Sequence, residues 1–157
     1  MLKGIALAYS ALPLQLIEEH RVHERGGERE IRFLWTDEER VLPVWMPDGH
    51  LRRVKWGNRR EESKKFPCTA GAALKTFDEG GWAAFNPTVV DIPATVCLDG
   101  QVWFAVRQGL RGILVNDEGG SQRVFPLHED SSFYYRIMVG QRDARAKVMP
   151  VFIGERF

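Results

Sequence analysis

The densest set of chemically active side chains lies in Leu51–Lys65 (LRRVKWGNRREESKK). Arg52, Arg53, Lys55, Arg59, Arg60, Lys64 and Lys65 stand there against Glu61 and Glu62, with Trp56 in the middle. Cations beside an aromatic ring are the components of a single-stranded nucleic-acid site: phosphates meet the charges and bases stack on the ring. The other reading of the same residues is a solvated hairpin edge with Trp56 turned into the core. Cys68 follows Lys64-Lys65-Phe66-Pro67, and neighbouring cations favour the thiolate. No histidine lies close in sequence to serve as its base. Cys97 sits in an apolar stretch and reads as a small core residue. His20 and His23 are three apart and would share a helix face. No further ligand stands at a telling distance from them, so no metal site is expected. His50, in a turn, and His128, beside Glu129 and Asp130, read as surface residues. Phosphate-loop, dinucleotide, HExxH and GxSxG patterns are all missing.

The chain carries 22 basic and 21 acidic residues, a net charge of +1, which neither selects nor excludes a polyanion. Arginine supplies 16 of the basic residues and lysine 6. Arginine suits planar contacts to phosphate or carboxylate, though a GC-rich genome produces the same excess. Two cysteines exclude a disulfide-dense scaffold and a four-cysteine zinc site. A chain of 157 residues can bury a core without such staples, and no linker divides it, so a single domain over 1–157 is expected. No apolar run approaches the ~18 residues of a membrane span. Residues 1–14 hold only Lys3 as a charged start and show no clear small-residue cleavage site. A cytoplasmic protein with no cofactor and no membrane partner is the expectation.

The elements that would position these residues are mostly strands. Residues 13–25 predict a short helix stopped by Gly26-Gly27, and residues 30–35 a strand. Val41–Trp45 and Leu51–Trp56 predict a hairpin around Pro47-Asp48-Gly49. An irregular loop follows over 57–68, then a helix over Ala70–Phe77 and a packed turn over Trp82–Pro87. Six further strands are predicted: Thr95–Leu98, Gln101–Val106, Arg111–Val115, Gln122–Leu127, Phe133–Val139 and Val148–Ile153. Asp99-Gly100 is read as a two-residue turn, and Asp117–Gly120 as a longer one. The sum is an α+β fold: a twisted, largely antiparallel sheet or half-open barrel with two or three short helices.

The order of these segments resembles the SOS response-associated peptidase family, whose members sense abasic sites in single-stranded DNA and crosslink to them. The family's opening Met-Cys-Gly-Arg is matched by Met1-Leu2-Lys3-Gly4. Its strand ending in Trp-Gly is matched by Val54-Lys55-Trp56-Gly57, and its Asn-Ala-Arg-x-Glu segment by Thr69–Ala73. Its Cys, Asp-Gly turn and aromatic strand correspond to Cys97–Phe104. Its His-Asp-Arg-Met-Pro before an apolar strand corresponds to Ala146–Ile153. The resemblance implies the family's fold and groove. In the family, an N-terminal cysteine captures the aldehyde of the opened abasic sugar with its amine and thiol together. Here that cysteine is Leu2, which also favours retention of Met1. The family's Asn falls at Thr69, its Glu near Trp103 or Phe104, and its His at Ala146. A shift of a few residues would bring Glu118 or His128 to those places instead.

Three functions follow as expectations. The first is a non-catalytic module, of prophage or mobile-element origin, binding single-stranded DNA through Arg52, Arg53, Lys55, Trp56, Arg59, Arg60, Lys64 and Lys65. The second is an enzyme with shifted chemistry at Cys68 or at the N-terminal amine, which can form an imine without closing the ring. The third is an interaction protein whose edge strand, Ser132–Val139, pairs with a second protein or a second copy of the chain.

Overall fold

The computed structural model describes residues 1–11, 22–60, 62–140 and 147–154. A first sheet joins β1 (Leu2–Ala8), β2 (Val22–Arg25), β3 (Glu28–Leu34), β8 (Val96–Asp99) and β9 (Val102–Ala105) in the order β2-β3-β1-β8-β9. All its pairings are antiparallel. The remaining strands are β4 (Val41–Trp45), β5 (Leu51–Trp56), β6 (Ala72–Ala73), β7 (Thr88–Ile92), β10 (Leu110–Asn116), β11 (Gln122–Asp130) and β12 (Val148–Pro150). Five of them form a closed ring in which β10 pairs β7, β7 pairs β4, β4 pairs β5, β5 pairs β11 and β11 returns to β10. Only the β5–β11 junction of that ring is parallel. Beyond the ring, the far end of β11 carries β6 and β12. The helices are α1 (Leu74–Asp78) and α2 (Phe133–Met138). The α+β class predicted from the sequence is therefore the observed one.

Alternation explains the ring. In β5, Val54 and Trp56 are buried while Arg53 and Lys55 are exposed. The β4–β5 register runs from Val41 opposite Lys55 to Trp45 opposite Leu51, around Pro47-Asp48-Gly49, as the turn chemistry predicts. In β8, Cys97 and Asp99 are buried and share a face, while Val96 and Leu98 are half-buried on the other. One cluster of buried side chains, including Ile5, Phe33, Leu42, Trp56, Cys97 and Tyr135, runs through both sheets. A second cluster lies outside the ring, where Phe66 and Trp82 pack on Ile113, Val115 and Phe125.

Several expectations are corrected. The predicted helix over 13–25 fails at its end: Val22–Arg25 is strand β2, and Gly26-Gly27 turns it into β3. Residues 13–21 of that prediction lie outside the described residues. Pairing of Val22 with Ile31 supplies a partner that helical spacing could not reveal. Phe133–Val139 is not a strand but helix α2 with its last turn. Ser132 decides this: its hydroxyl accepts the Tyr135 backbone N–H as an N-cap, and the cap outweighs the β preference of Phe-Tyr-Tyr. The edge strand proposed as a docking site for a protein or second copy is therefore absent at Ser132–Val139. The β8–β9 turn is centred one residue later than predicted, on Gly100-Gln101, because Asp99 pairs with Val102. Gly100 takes φ 60° at the first centre, as a type II′ turn needs.

Trp56 is wholly buried, its indole N–H donating to the Ala70 carbonyl at 2.8 Å and its ring edge-on to Trp35 at 5.3 Å. Trp56→Ala is expected to lower stability by about 3–5 kcal/mol. A urea melt checks this through a lower midpoint at unchanged m; an unchanged midpoint contradicts the packing described.

Candidate functional site

The predicted basic segment does not act as one strip. Trp56, buried as described, offers no face to a base. Lys55 pairs with Glu62 at 3.3 Å. Arg59 turns inward, donating to the Trp35 carbonyl at 3.0 Å, and Arg52 reaches back to Asp48 at 3.3 Å. Lys65 donates to the Asn116 carbonyl at 3.1 Å. Arg53, Arg60 and Lys64 are exposed. Glu61 lies outside the described residues. Cys68 is an exposed free thiol in the loop before β6, and Cys97 is a buried one, as predicted.

Lys55 and Arg59 adjoin, through Glu62, a network that the sequence conceals. Arg40 and Arg123 are nearly sealed, at 3% and 4% exposure. Arg40 binds the Glu62 carboxylate and lies 4.6 Å from the Trp35 ring centre. Arg123 donates to Asp117 at 2.9 Å and to the Gly57 carbonyl at 2.9 Å. Asn58 is also buried, its amide donating to the carbonyls of Ser63 and Phe66. These contacts shape the 57–66 loop.

A second convergence lies at the start of the chain. Antiparallel pairing places Leu2 beside Asp99 at the end of β8. The Met1 ammonium then donates to Asp99 Oδ1 at 3.0 Å. The Tyr135 hydroxyl, carried in by α2, donates to Asp99 Oδ2 at 2.6 Å. Asp99 is 1% exposed. Burial, then the hydrogen bond to the Asp99 carboxylate, pushes the Tyr135 hydroxyl far up, so it stays protonated.

Beside this triad, Met1, Leu2, Gly71, His128, Met149 and Pro150 line a cavity of about 20 Å³, room for one water. Gly71 allows the close approach: a Cβ there would lie 2.8 Å from the Pro126 carbonyl oxygen and 3.2 Å from the His128 ring. Burial, and then the positive charge of the N-terminus, lowers the His128 pKa, which favours the neutral imidazole. A proton acceptor, a buried carboxylate, a phenol and an amine therefore meet at one corner, the group types that general acid–base chemistry and amine attack require. His128 and Val148 also line an open groove of about 410 Å³ that carries Asp78, Glu79, Glu129 and Asp130 against Lys75. That side of the corner repels phosphate.

The four places where the resemblance located chemistry hold other groups or lie outside the described residues. Leu2 lines the cavity. The Thr69 hydroxyl is occupied in a local turn with the Gly71 carbonyl at 3.0 Å. Trp103 lies under Arg25 and Arg32, and Phe104 is buried against Tyr135. Ala146 and the side chain of Glu118 lie outside the described residues. In sequence, Asp99 has the signature of a turn residue, Tyr135 of a strand residue and His128 of a surface residue, and none of the three signals a site. The inward phase that Asp99 shares with Cys97 was the available signal. Among the described residues no group of three His, Cys, Asp or Glu side chains can hold a metal, and no helix is long and apolar enough to cross a membrane.

Partial burial alone would raise the Glu62 pKa. The Arg40 hydrogen bond, the Arg59 backbone N–H and the charges of Arg40 and Lys55 outweigh it, holding the carboxyl down at about 2 from an ordinary 4.5. The folded value lies below the unfolded one, so the stabilisation is complete above 4.5 and disappears as pH falls towards 2. Glu62→Gln is therefore expected to be less stable than wild type at neutral pH and to converge with it at the acid end. Urea melts across that range check this; a constant difference down to pH 2 contradicts it.

No family model, no curated protein and no solved structure matches the chain.

Proposed function

We propose that the chain is a protein similar to the SOS response-associated peptidase family that binds single-stranded nucleic acid. At the corner described, its N-terminal amine would meet the aldehyde of an abasic sugar without forming a stable crosslink. One observation carries this reading. Met1–Leu2, Ala70–Gly71 and Met149–Pro150 line one cavity, and Asp99 reaches its edge through the Met1 ammonium. These belong to four of the segments on which the resemblance was drawn. Exposed Arg53, Arg60 and Lys64 supply charge for phosphates.

The chemistry available is reversible. Once deprotonated, the amine nitrogen attacks the carbonyl carbon, and proton transfer gives a carbinolamine. Loss of water then leaves an imine. Neutral His128 is the base within the corner, and Asp99 is the counter-charge for the cationic forms. Leu2 has no thiol to close a ring, so hydrolysis returns the free aldehyde.

Abasic and intact single-stranded DNA, incubated with the protein and run on a denaturing gel, test the reading. Without reductant no heat-stable shifted band is expected. With borohydride, which converts the imine to a secondary amine, the abasic strand alone should give one. A heat-stable band without reductant, or none with it, contradicts the proposal. Native binding should also fall steeply between low and moderate salt as phosphate counterions are released.

A further inference from the structure

The strand ring has two outer sides. One is covered by Phe66 and Trp82 packed over β10 and β11. The other, across β5, β4 and β7, leaves Trp45 and Val89 exposed at 44% and 47%. The register sets what surrounds that indole. Trp45 lies opposite Leu51 on β5 and opposite Asp91 on β7. Arg53, opposite Pro43, is its diagonal neighbour on the same face, and Lys55 stands two residues further along β5. Arg111 of β10 lies opposite Asp91. Arg53, Lys55, Asp91 and Arg111 are all exposed. The face thus offers an uncovered indole with Arg53 and Lys55 on the adjacent β5, Lys55 shared with Glu62, and Arg111 on β10 one strand beyond β7, whose Asp91 lies between Trp45 and Arg111.

We infer that this face, centred on Trp45, is where single-stranded nucleic acid lies, with a base stacked on the Trp45 indole and phosphates on Arg53 and Arg111. The inference rests on the single-strand reading above and gives it a surface. Charge complementarity selects the occupant: the cations here favour a polyanion, whereas the groove at His128 is acidic. Stacking is sequence-tolerant because every base has a π-face. Trp56 was the aromatic that composition nominated. The register nominates the tryptophan on the preceding strand instead, whose side chain points outward.

Anisotropy titrations of a labelled oligothymidylate with the full chain, at low and moderate salt, test the placement. Trp45→Ala is expected to weaken binding by roughly fivefold to 150-fold with the salt slope unchanged. The double variant Arg53→Ala with Arg111→Ala should weaken binding and make the salt slope shallower by about 1.4, two contacts at ~0.7 each on a single strand. Because that pair is exposed, it keeps the test decisive if Trp45→Ala does not fold. Wild-type binding that survives both changes overturns the placement while leaving the single-strand reading intact. No binding by wild type at low salt overturns both. A concentration-dependent dimer in light scattering that Trp45→Ala abolishes assigns the face to a second copy, and also overturns the inference.

Discussion

A carboxylate sealed from water must be matched by donors, because an unpaired buried charge costs several kcal/mol. Asp99 is that group here, and the way it is matched organises one end of the molecule. Its two oxygens are taken by the Met1 ammonium and the Tyr135 hydroxyl. Each donor arrives on a different element. Met1 comes with β1, held between β3 and β8 in the first sheet, and Tyr135 comes with α2. Strand register, helix capping by Ser132 and the inward phase of β8 must therefore agree for both oxygens of this one carboxylate to be matched. When they do, an amine is fixed beside a histidine at the edge of a cavity. A structural requirement and a chemical capability coincide in the same atoms.

The second buried charge system works differently. Arg40, Glu62 and Arg123 bring arginine and carboxylate together around the 57–66 loop, and Lys55 joins from the surface. Part of the charge that makes Leu51–Lys65 look like a binding strip is thus engaged in holding the loop. The molecule separates its surfaces as a result. An acidic groove adjoins the amine corner, while Arg53 of β5 and Arg111 of β10 are exposed on the outer face of the ring. A ligand that is both polyanionic and aldehyde-bearing would have to reach the corner from a side other than the acidic groove.

Local rules made part of this legible in the sequence. The β4–β5 hairpin followed from alternation around Asp48-Gly49, and the burial of Cys97 from its apolar strand. The 57–68 loop followed from its polar composition. The rest depended on long-range partners. β1 gave no clear strand signal because its run of buried residues, Ile5 to Leu7, is covered on both faces and does not alternate. Phe133–Val139 has strand-like composition, yet a single hydroxyl at Ser132 starts a helix there. The role of Asp99 was hidden because an Asp-Gly pair reads as a turn. Only the pairing of Asp99 with Val102 shows that the aspartate ends the strand facing inward. The same pairing logic moved the exposed aromatic from Trp56 to Trp45: residues on facing strands, 11 apart in sequence, with opposite phases.

The central proposal is that the amine held against Asp99 is the group that meets the aldehyde. The most direct measurement is mass-spectrometric mapping of the borohydride-reduced adduct with an abasic oligonucleotide. The account predicts that the modification resides on the Met1 α-amine. Modification spread over Lys64, Lys65 and Lys75, with the Met1 peptide unmodified, would contradict it.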